Sequence, residues 1–280
     1  MKSKFLSLLQ LLIIFGSLAA ESSPEFEKWV VYYGKEGSFQ TFQPYSMIVF
    51  DNDEHPFLQG FIEEQKMLLG YLSVGEVESF RYYFQEVKQQ GLLQGQNKTF
   101  TESEFVDLRD PRWAKRIIEE LIPSILQQGF QGVFLDTLDN AIYLEEIDPK
   151  KFHGMKKAAI ELIQGIRLHY PHIKIMVNRA YQLLTAVGGE IDMVLAEGLY
   201  SQYDFKTGKY KVNNSKEHEQ DVAFLKELQK KFPSLQIFTL DFWNPTDKEM
   251  IKKIYTLERG NGFIPYVSTI GLTDIIAEPQ

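Results

Sequence analysis

Eight short apolar runs punctuate the chain, at 29–34 (WVVYYG), 46–51 (SMIVFD), 67–74 (MLLGYLSV), 132–136 (GVFLD), 173–178 (IKIMVN), 193–197 (MVLAE), 236–241 (QIFTLD) and 262–267 (GFIPYV). Most are nearly continuous in hydrophobic residues. Strict alternation marks a strand with one wet face, whereas continuous runs mark strands buried on both faces, as in a parallel sheet.

Between several of these runs the apolar period changes to that of a helix. Asp110 and Pro111 open one helix as N-cap and first helical residue. Trp113, Ile117, Ile118, Leu121, Ile125 and Leu126 follow on one face, Pro123 predicts a kink, and Gly129 ends the segment. Further helices are expected at about 156–169, 216–232 and 247–259, stopping at Pro171, Pro233 and Gly260. The segment 79–108 is too long for a plain loop and reads as an insertion with a helix of its own. Only a short tail follows the eighth run, which predicts a stunted last helix.

Strands alternating with helices give an α/β fold with a parallel sheet. Eight units in this length point to a single-domain (β/α)8 TIM barrel. The alternative is an open doubly wound sheet, which usually carries a glycine-rich phosphate turn after its first strand; Tyr33-Gly34-Lys35-Glu36-Gly37 has no GxGxxG pattern.

The N-terminal residues read differently. Lys2 and Lys4 precede an apolar stretch from Leu6 to Phe15, followed by Gly16, Ser17, Leu18, Ala19 and Ala20. This is the layout of a secretory signal peptide over residues 1–20, cleaved after Ala19 or Ala20, with the barrel domain at 21–280. The apolar stretch is short of the roughly 20 residues a spanning helix needs, so no stable membrane anchor is expected after its removal. The expected location is secreted or periplasmic. The remaining roughly 260 residues are enough for one domain with a full core.

Composition narrows the chemistry. There is no cysteine, which excludes disulfides, a thiol nucleophile and Cys-ligated metal. The formal net charge of -8 argues against nucleic acid as a partner and suits a neutral or cationic ligand. The 21 Phe, 14 Tyr and 3 Trp are chiefly core, with some available to stack on ligand faces.

In a barrel of this class the site is built at the C-terminal ends of the strands, and here those ends carry acids repeatedly. The second run ends at Asp51, with Asp53 just beyond. The third leads to Glu76 and Glu78, the fourth ends at Asp136 with Asp139 close behind, the sixth ends at Glu197 and the seventh at Asp241. Single acids after strands often cap helices; acids after five of eight strands read as an acidic cleft.

Two carboxylates across a cleft are what glycoside hydrolysis needs, one ionised and one holding a proton. Asp136 and Glu197 each end a strongly apolar strand, and strands four and six stand two apart around a barrel, so their side chains can face one another. Candidate substrate contacts at the same level are Asp51, Asp53, Glu76, Arg81, Asp139, Asn178, Tyr200, Asp241, Trp243 and Tyr266. The surplus acids would bind amino groups of a cationic polysaccharide, with Tyr200, Trp243 and Tyr266 stacking on sugar rings. The opposing expectation is that the acids cap loops and pair with Arg81, Arg109 and Arg179. No HExxH is present, and no GxSxG surrounds Ser73 or Ser268. An acidic cleft can also hold a divalent cation, but sugar cleavage uses the same acids without one; neither metal nor cofactor is expected.

The motifs GYLSVGEVESFR (70–81), DLRDPRW (107–113), GFQGVFLDTLDN (129–140), VNRA (177–180), AEGLY (196–200), LDFW (240–243) and GFIPYVS (262–268) together resemble glycoside hydrolase family 114, the endo-α-1,4-polygalactosaminidase-like enzymes. The resemblance runs from about residue 29 to 268, and the third- and fourth-strand motifs are the specific ones. It implies a (β/α)8 barrel that cleaves a partly deacetylated α-1,4-galactosamine polymer of microbial biofilms and fungal walls. It implies Asp136 as nucleophile and Glu197 as general acid and base, with retention of configuration. A glycosidase for a different polysaccharide and a non-catalytic carbohydrate-binding barrel are the alternatives.

Overall fold

The computed structural model describes residues 26–280; the expected signal peptide lies outside the described residues. Eight parallel strands occur in chain order: Trp29–Tyr32, Met47–Asp51, Met67–Ser73, Gly132–Asp136, Lys174–Asn178, Met193–Glu197, Gln236–Phe242 and Ile264–Ser268. Each pairs with the next in sequence, so spatial order equals chain order. This is the (β/α)8 barrel, nearly closed, and not the open doubly wound sheet. The continuous apolar runs are its strands, buried on the barrel interior and beneath the helices.

The first and eighth strands are the two ends of this sheet. The Trp29 indole crosses between them and donates Nε1–H to the Ile264 carbonyl at 3.0 Å. Its ring meets Phe238 and Tyr266 edge-on, with centroids 5.2 and 6.0 Å away. Beyond the strands, the Tyr33 amide donates to the Leu272 carbonyl at 2.8 Å, and the tail packs Ile276 against Ile251, Ile254 and Tyr255. No helix forms after the eighth strand; this irregular tail takes its place.

The helices follow the sequence signals, with one instructive difference. Asp110 caps its helix by accepting from the Arg112 amide at 3.0 Å. The anticipated kink is a π-helical turn at Ile117–Leu121, set between α-helices Pro111–Arg116 and Ile122–Gln127. Pro123 has no N–H to give and its ring crowds the carbonyl four residues back. Widening one turn before it relieves that clash and keeps the helix packed.

Two excursions leave the barrel at the C-terminal ends of its strands. The segment after the third strand forms a three-stranded antiparallel sheet from Glu76–Glu78, Leu93–Gln96 and Ser103–Val106, with the expected helix at Phe84–Gln89. After the sixth strand comes a hairpin, Ser201–Asp204 with Lys209–Val212, turning at Gly208, whose φ is 66°. Among the described residues no helix is long and apolar enough to cross a membrane.

The seam yields a test. Trp29→Phe keeps an aromatic ring but leaves the Ile264 carbonyl without its donor, so the unfolding free energy should fall by roughly 1–3 kcal/mol. Urea denaturation followed by circular dichroism measures it; an unchanged midpoint would remove the indole bond from the account of closure.

Candidate active site

Asp136 and Glu197 stand at the C-terminal ends of the fourth and sixth strands, and Asn178 ends the fifth strand between them. The Asn178 amide nitrogen donates one hydrogen to Asp136 Oδ1 at 2.9 Å and the other to Glu197 Oε2 at 2.6 Å. Two oxygens sharing one nitrogen lie no further apart than the two bonds laid end to end, about 5.5 Å, and about 4.8 Å if each sits on its own N–H. Asp136 Oδ1 also accepts from the Thr137 amide at 2.7 Å.

Both carboxyl groups are partly buried, each lining the cavities at the mouth. Burial is the main force raising Asp136, to about 7, and the Glu197 charge adds to it. Burial likewise raises Glu197, against the Asn178 hydrogen bond and the Arg179 charge, which pull it down. Acids this close titrate as one pair, and partial burial favours the pair's keeping a proton.

The backbone aims these groups. The residue after each member of the trio is left-handed: Thr137 at φ 64°, Arg179 at 49° and Gly198 at 64°. Ala180 continues at 48°. Only glycine takes this conformation freely, so Thr137, Arg179 and Ala180 hold local strain at the strand ends. Each turn swings the chain away from its strand and leaves the preceding side chain at the mouth. Thr137 is held there by its hydroxyl, which meets the Ser73 hydroxyl at 2.9 Å and accepts from the Gly75 amide at 2.8 Å. Gly75 permits that approach: a Cβ on it would sit 2.0 Å from the Thr137 carbonyl oxygen.

The pair lies where two adjoining cavities meet. One, of about 380 Å³, is walled by Tyr33, Tyr71, Phe80, Phe134, Phe242 and Leu272. The other, of about 280 Å³, is polar, with Asn97, Asp139, Asn140, Arg179, Gln202 and Tyr203. Each is of a size to seat sugar units. Phe100 and Phe205, from the tips of the two excursions, meet edge-on with centroids 5.5 Å apart at the rim of the polar cavity. These aromatics were not singled out from the sequence. Their one signal is position, since Phe100 and Phe205 fall in polar, turn-rich stretches where a core residue has no place.

The other anticipated contacts divide. Glu76 and Asp139 line the cavities, and burial raises both. Glu76 accepts from Asn97 at 2.9 Å and Asn140 at 3.1 Å. Asp51 and Asp53 instead face Arg81, whose side chain is 2% exposed. Its guanidinium reaches Asp51 through two bonds of 3.0 and 2.6 Å, Asp53 at 2.8 Å and Glu78 at 3.3 Å. Arg81 thereby ties the first excursion to the second strand, and the Asp51 and Asp53 charges are spent on it.

Asp241 is fully buried and accepts from the Tyr200 and Ser201 amides at 2.8 and 2.6 Å, fixing the loop that follows Glu197. Burial and the charge of Glu258 raise it to about 7. Tyr266 is core, packed on Trp29 and Tyr45. Tyr200 packs on His218, and Trp243 on Tyr210 while bonded to Asp247. None of these three rings lines the two cavities that hold the carboxylates; the rings that do come from other strands and from the excursions. Among the described residues no cluster of three or more His, Asp or Glu is arranged to hold a metal ion.

Comparison with known proteins agrees with this geometry. The profile described as glycoside-hydrolase family GH114 matches residues 19–278. The fold resembles the glycoside hydrolase domain of PelA from Pseudomonas aeruginosa, at TM-score 0.79 and 20% identity, covering 90% of this chain and 98% of that one. It also resembles Ega3 of Aspergillus fumigatus, solved in complex with galactosamine, at TM-score 0.66 and 11% identity, covering 90% and 95%. An uncharacterized protein of Deinococcus radiodurans is 24% identical over 247 residues, covering 83% of this chain and 76% of its own.

Two outcomes follow from the pair. A carboxyl raised on folding stabilises the protein below its ordinary range near 4, and that contribution is lost as pH rises towards 7. Asp136→Asn carries no charge to bury, so at pH 8 it should melt higher than wild type, on the order of 5 °C, and the gap should vanish near pH 4. Equal melting curves at pH 8 would mean that Asp136 is not held desolvated. Separately, Asn178→Ala removes the bond that lowers both acids. The acidic limb of kcat/KM should move to higher pH and kcat should drop ~10²-fold; an unmoved limb would show that the amide does not tune the pair.

Proposed function

The chain belongs to glycoside-hydrolase family GH114, and from that premise we propose that it acts outside the cytoplasm on an α-1,4-linked, galactosamine-containing polysaccharide, by a retaining mechanism. The observation that carries the mechanism is the shared Asn178 amide. By bonding one oxygen of each acid to a single nitrogen it keeps those two oxygens within about 5.5 Å, which supports the closer carboxyl spacing of retaining enzymes, about 5–5.5 Å, over the roughly 6.5–9.5 Å of inverting ones.

Asp136 is the nucleophile. Its Oδ1 is fixed by two N–H donors, which favour the ionised form and leave Oδ2 to attack the anomeric carbon. Glu197 gives its proton to the leaving oxygen as that bond breaks. A glycosyl ester on Asp136 results. Glu197, now ionised, takes a proton from water as the water attacks the same carbon, and Asp136 leaves with its configuration restored. Positive charge developing on the sugar ring favours ionised Asp136, so the pair's one proton settles on Glu197 when substrate is bound.

The reversed assignment also has an observation in its favour: burial raises Asp136 to about 7, which favours Asp136 as proton carrier. Support for a cationic substrate is narrower than the strand-end acids implied. Asp51, Asp53 and Asp241 are engaged elsewhere, and Glu76 and Asp139 remain beside the pair, opposite Arg179. Both neighbours suit protonated amino groups. The capture of galactosamine by Ega3, which shares the fold, supports the substrate class, and the charged start and apolar stretch of the N-terminal residues support export.

Asp136→Ala and Glu197→Ala should each lower kcat ~10³-fold or more while the proteins stay folded. Azide should restore turnover of both, giving an inverted glycosyl azide with the Asp136 variant and a retained one with the Glu197 variant. The swapped result would exchange the roles, and an inverted product from wild type, read by NMR, would overturn retention. On galactosamine polymers graded by acetylation, full acetylation or added salt should weaken binding, since exposed charges are screened over about 8–10 Å. Cleavage of an unrelated glycan instead would change the substrate, and binding with no cleavage would leave a carbohydrate-binding barrel.

A further inference from the structure

A third cavity, of about 600 Å³, lies beyond the polar one and meets it at Asn97, Phe100, Asp139 and Asn140. It runs between the first excursion and the helix Asp139–Ile147. Its floor is apolar, with Phe105, Leu144 and Phe152. Amides from Gln94 and Gln96 edge it, and the half-exposed ring of Tyr143 stands on one wall, packed on Phe105 with centroids 6.0 Å apart. An exposed aromatic face bordered by amides is how a protein surface grips a sugar, whose ring has an apolar face and a polar edge.

The charge here differs from that of the catalytic cavities. Apart from Asp139, at the shared mouth, the charged side chains lining the groove are Lys98 and Lys151. Lys151 is held at the rim, its ammonium 4.5 Å from the centre of the Phe152 ring. Around Asp136 and Glu197 the neighbours are Glu76 and Asp139 against the single Arg179. Going outward from the point of cleavage, the lining thus changes from acidic to basic.

We propose that this groove is a distal subsite for further units of the same polysaccharide, and that it selects N-acetylated over free-amine units. An ammonium group on the sugar would face the two lysines across a distance within the screening length. An acetamide carries no charge, accepts from a lysine or a glutamine through its carbonyl, and lays its methyl group on the apolar floor. The acidic cavities favour the amine and the basic groove favours the acetamide, so the preferred polymer is mixed, with free amines near the cut and acetylated units outward of it. This rests on the reading of the site as an amino-sugar hydrolase.

The test uses defined galactosamine oligomers, long and short, each fully acetylated, fully deacetylated or mixed. For long chains the wild type should show its lowest KM on the mixed polymer. Lys98→Glu with Lys151→Glu should reverse the groove's choice, lowering KM for the long, fully deacetylated chain several-fold and raising it for the mixed one, with kcat unchanged. Tyr143→Ala should raise KM for every long chain several-fold. Oligomers too short to reach the groove should not distinguish these variants from wild type. Charge reversal that leaves the preference of long chains unaltered would overturn the selection, and Tyr143→Ala acting alike on long and short oligomers would overturn the subsite. A wild type that cuts none of these polymers would instead fail the underlying reading of function.

Discussion

The site depends on one amide joining two partly buried acids. Left to themselves, two desolvated carboxyl groups a few ångströms apart would repel and draw in solvent or counterions. The Asn178 side chain occupies the space between them and gives a hydrogen to each. Charge-assisted bonds of this kind are strong because so little water competes for them. The amide carries no charge of its own, so it lowers both acids without adding a cation to the pair, and it fixes the spacing of the two oxygens it holds.

Holding that arrangement costs stability, and the scaffold offsets the cost around the site. Left-handed residues follow Asp136 and Asn178 without the help of glycine, and Asp241 is buried with one oxygen, Oδ2, that receives no hydrogen bond. Around them stand groups that take no part in bond cleavage: Thr137 wedged against Ser73 and Gly75, Asp241 holding the backbone at Tyr200 and Ser201, and Arg81 drawing Asp51, Asp53 and Glu78 together. The acids at the strand ends thus serve two ends. Some face the cleft, and others fix the loops that shape it.

This explains how far the sequence could be read. The barrel was legible because its strands are buried on both faces and therefore apolar throughout, at eight places in succession. Asp136 and Glu197 were legible because an acid closing such a run has nowhere to go but the mouth, and Asn178 ended a run in the same way. The division of the remaining acids was not legible, because Asp51 meets Arg81 across 30 positions of chain and only folding shows that its charge is already met. The aromatic lining was missed for the opposite reason. Trp243 and Tyr266 sit near strand ends, but their rings turn to the outer layer and the core, while Phe100 and Phe205 come from excursions whose reach no periodicity records. The hairpin after the sixth strand did leave a trace, in the alternation of YDFKTGKYKV around Thr207 and Gly208.

The closure of the barrel at Trp29 has a consequence for how the protein is made. The indole of residue 29 finds its acceptor at residue 264, 235 positions later, so synthesis must pass the eighth strand before the two edges of the sheet can join. Contacts of such long range form slowly and late. Until then the first strand presents an unpaired edge, open to strands of other chains. An architecture that joins its edges last leaves the nascent chain without a closed core for most of its synthesis.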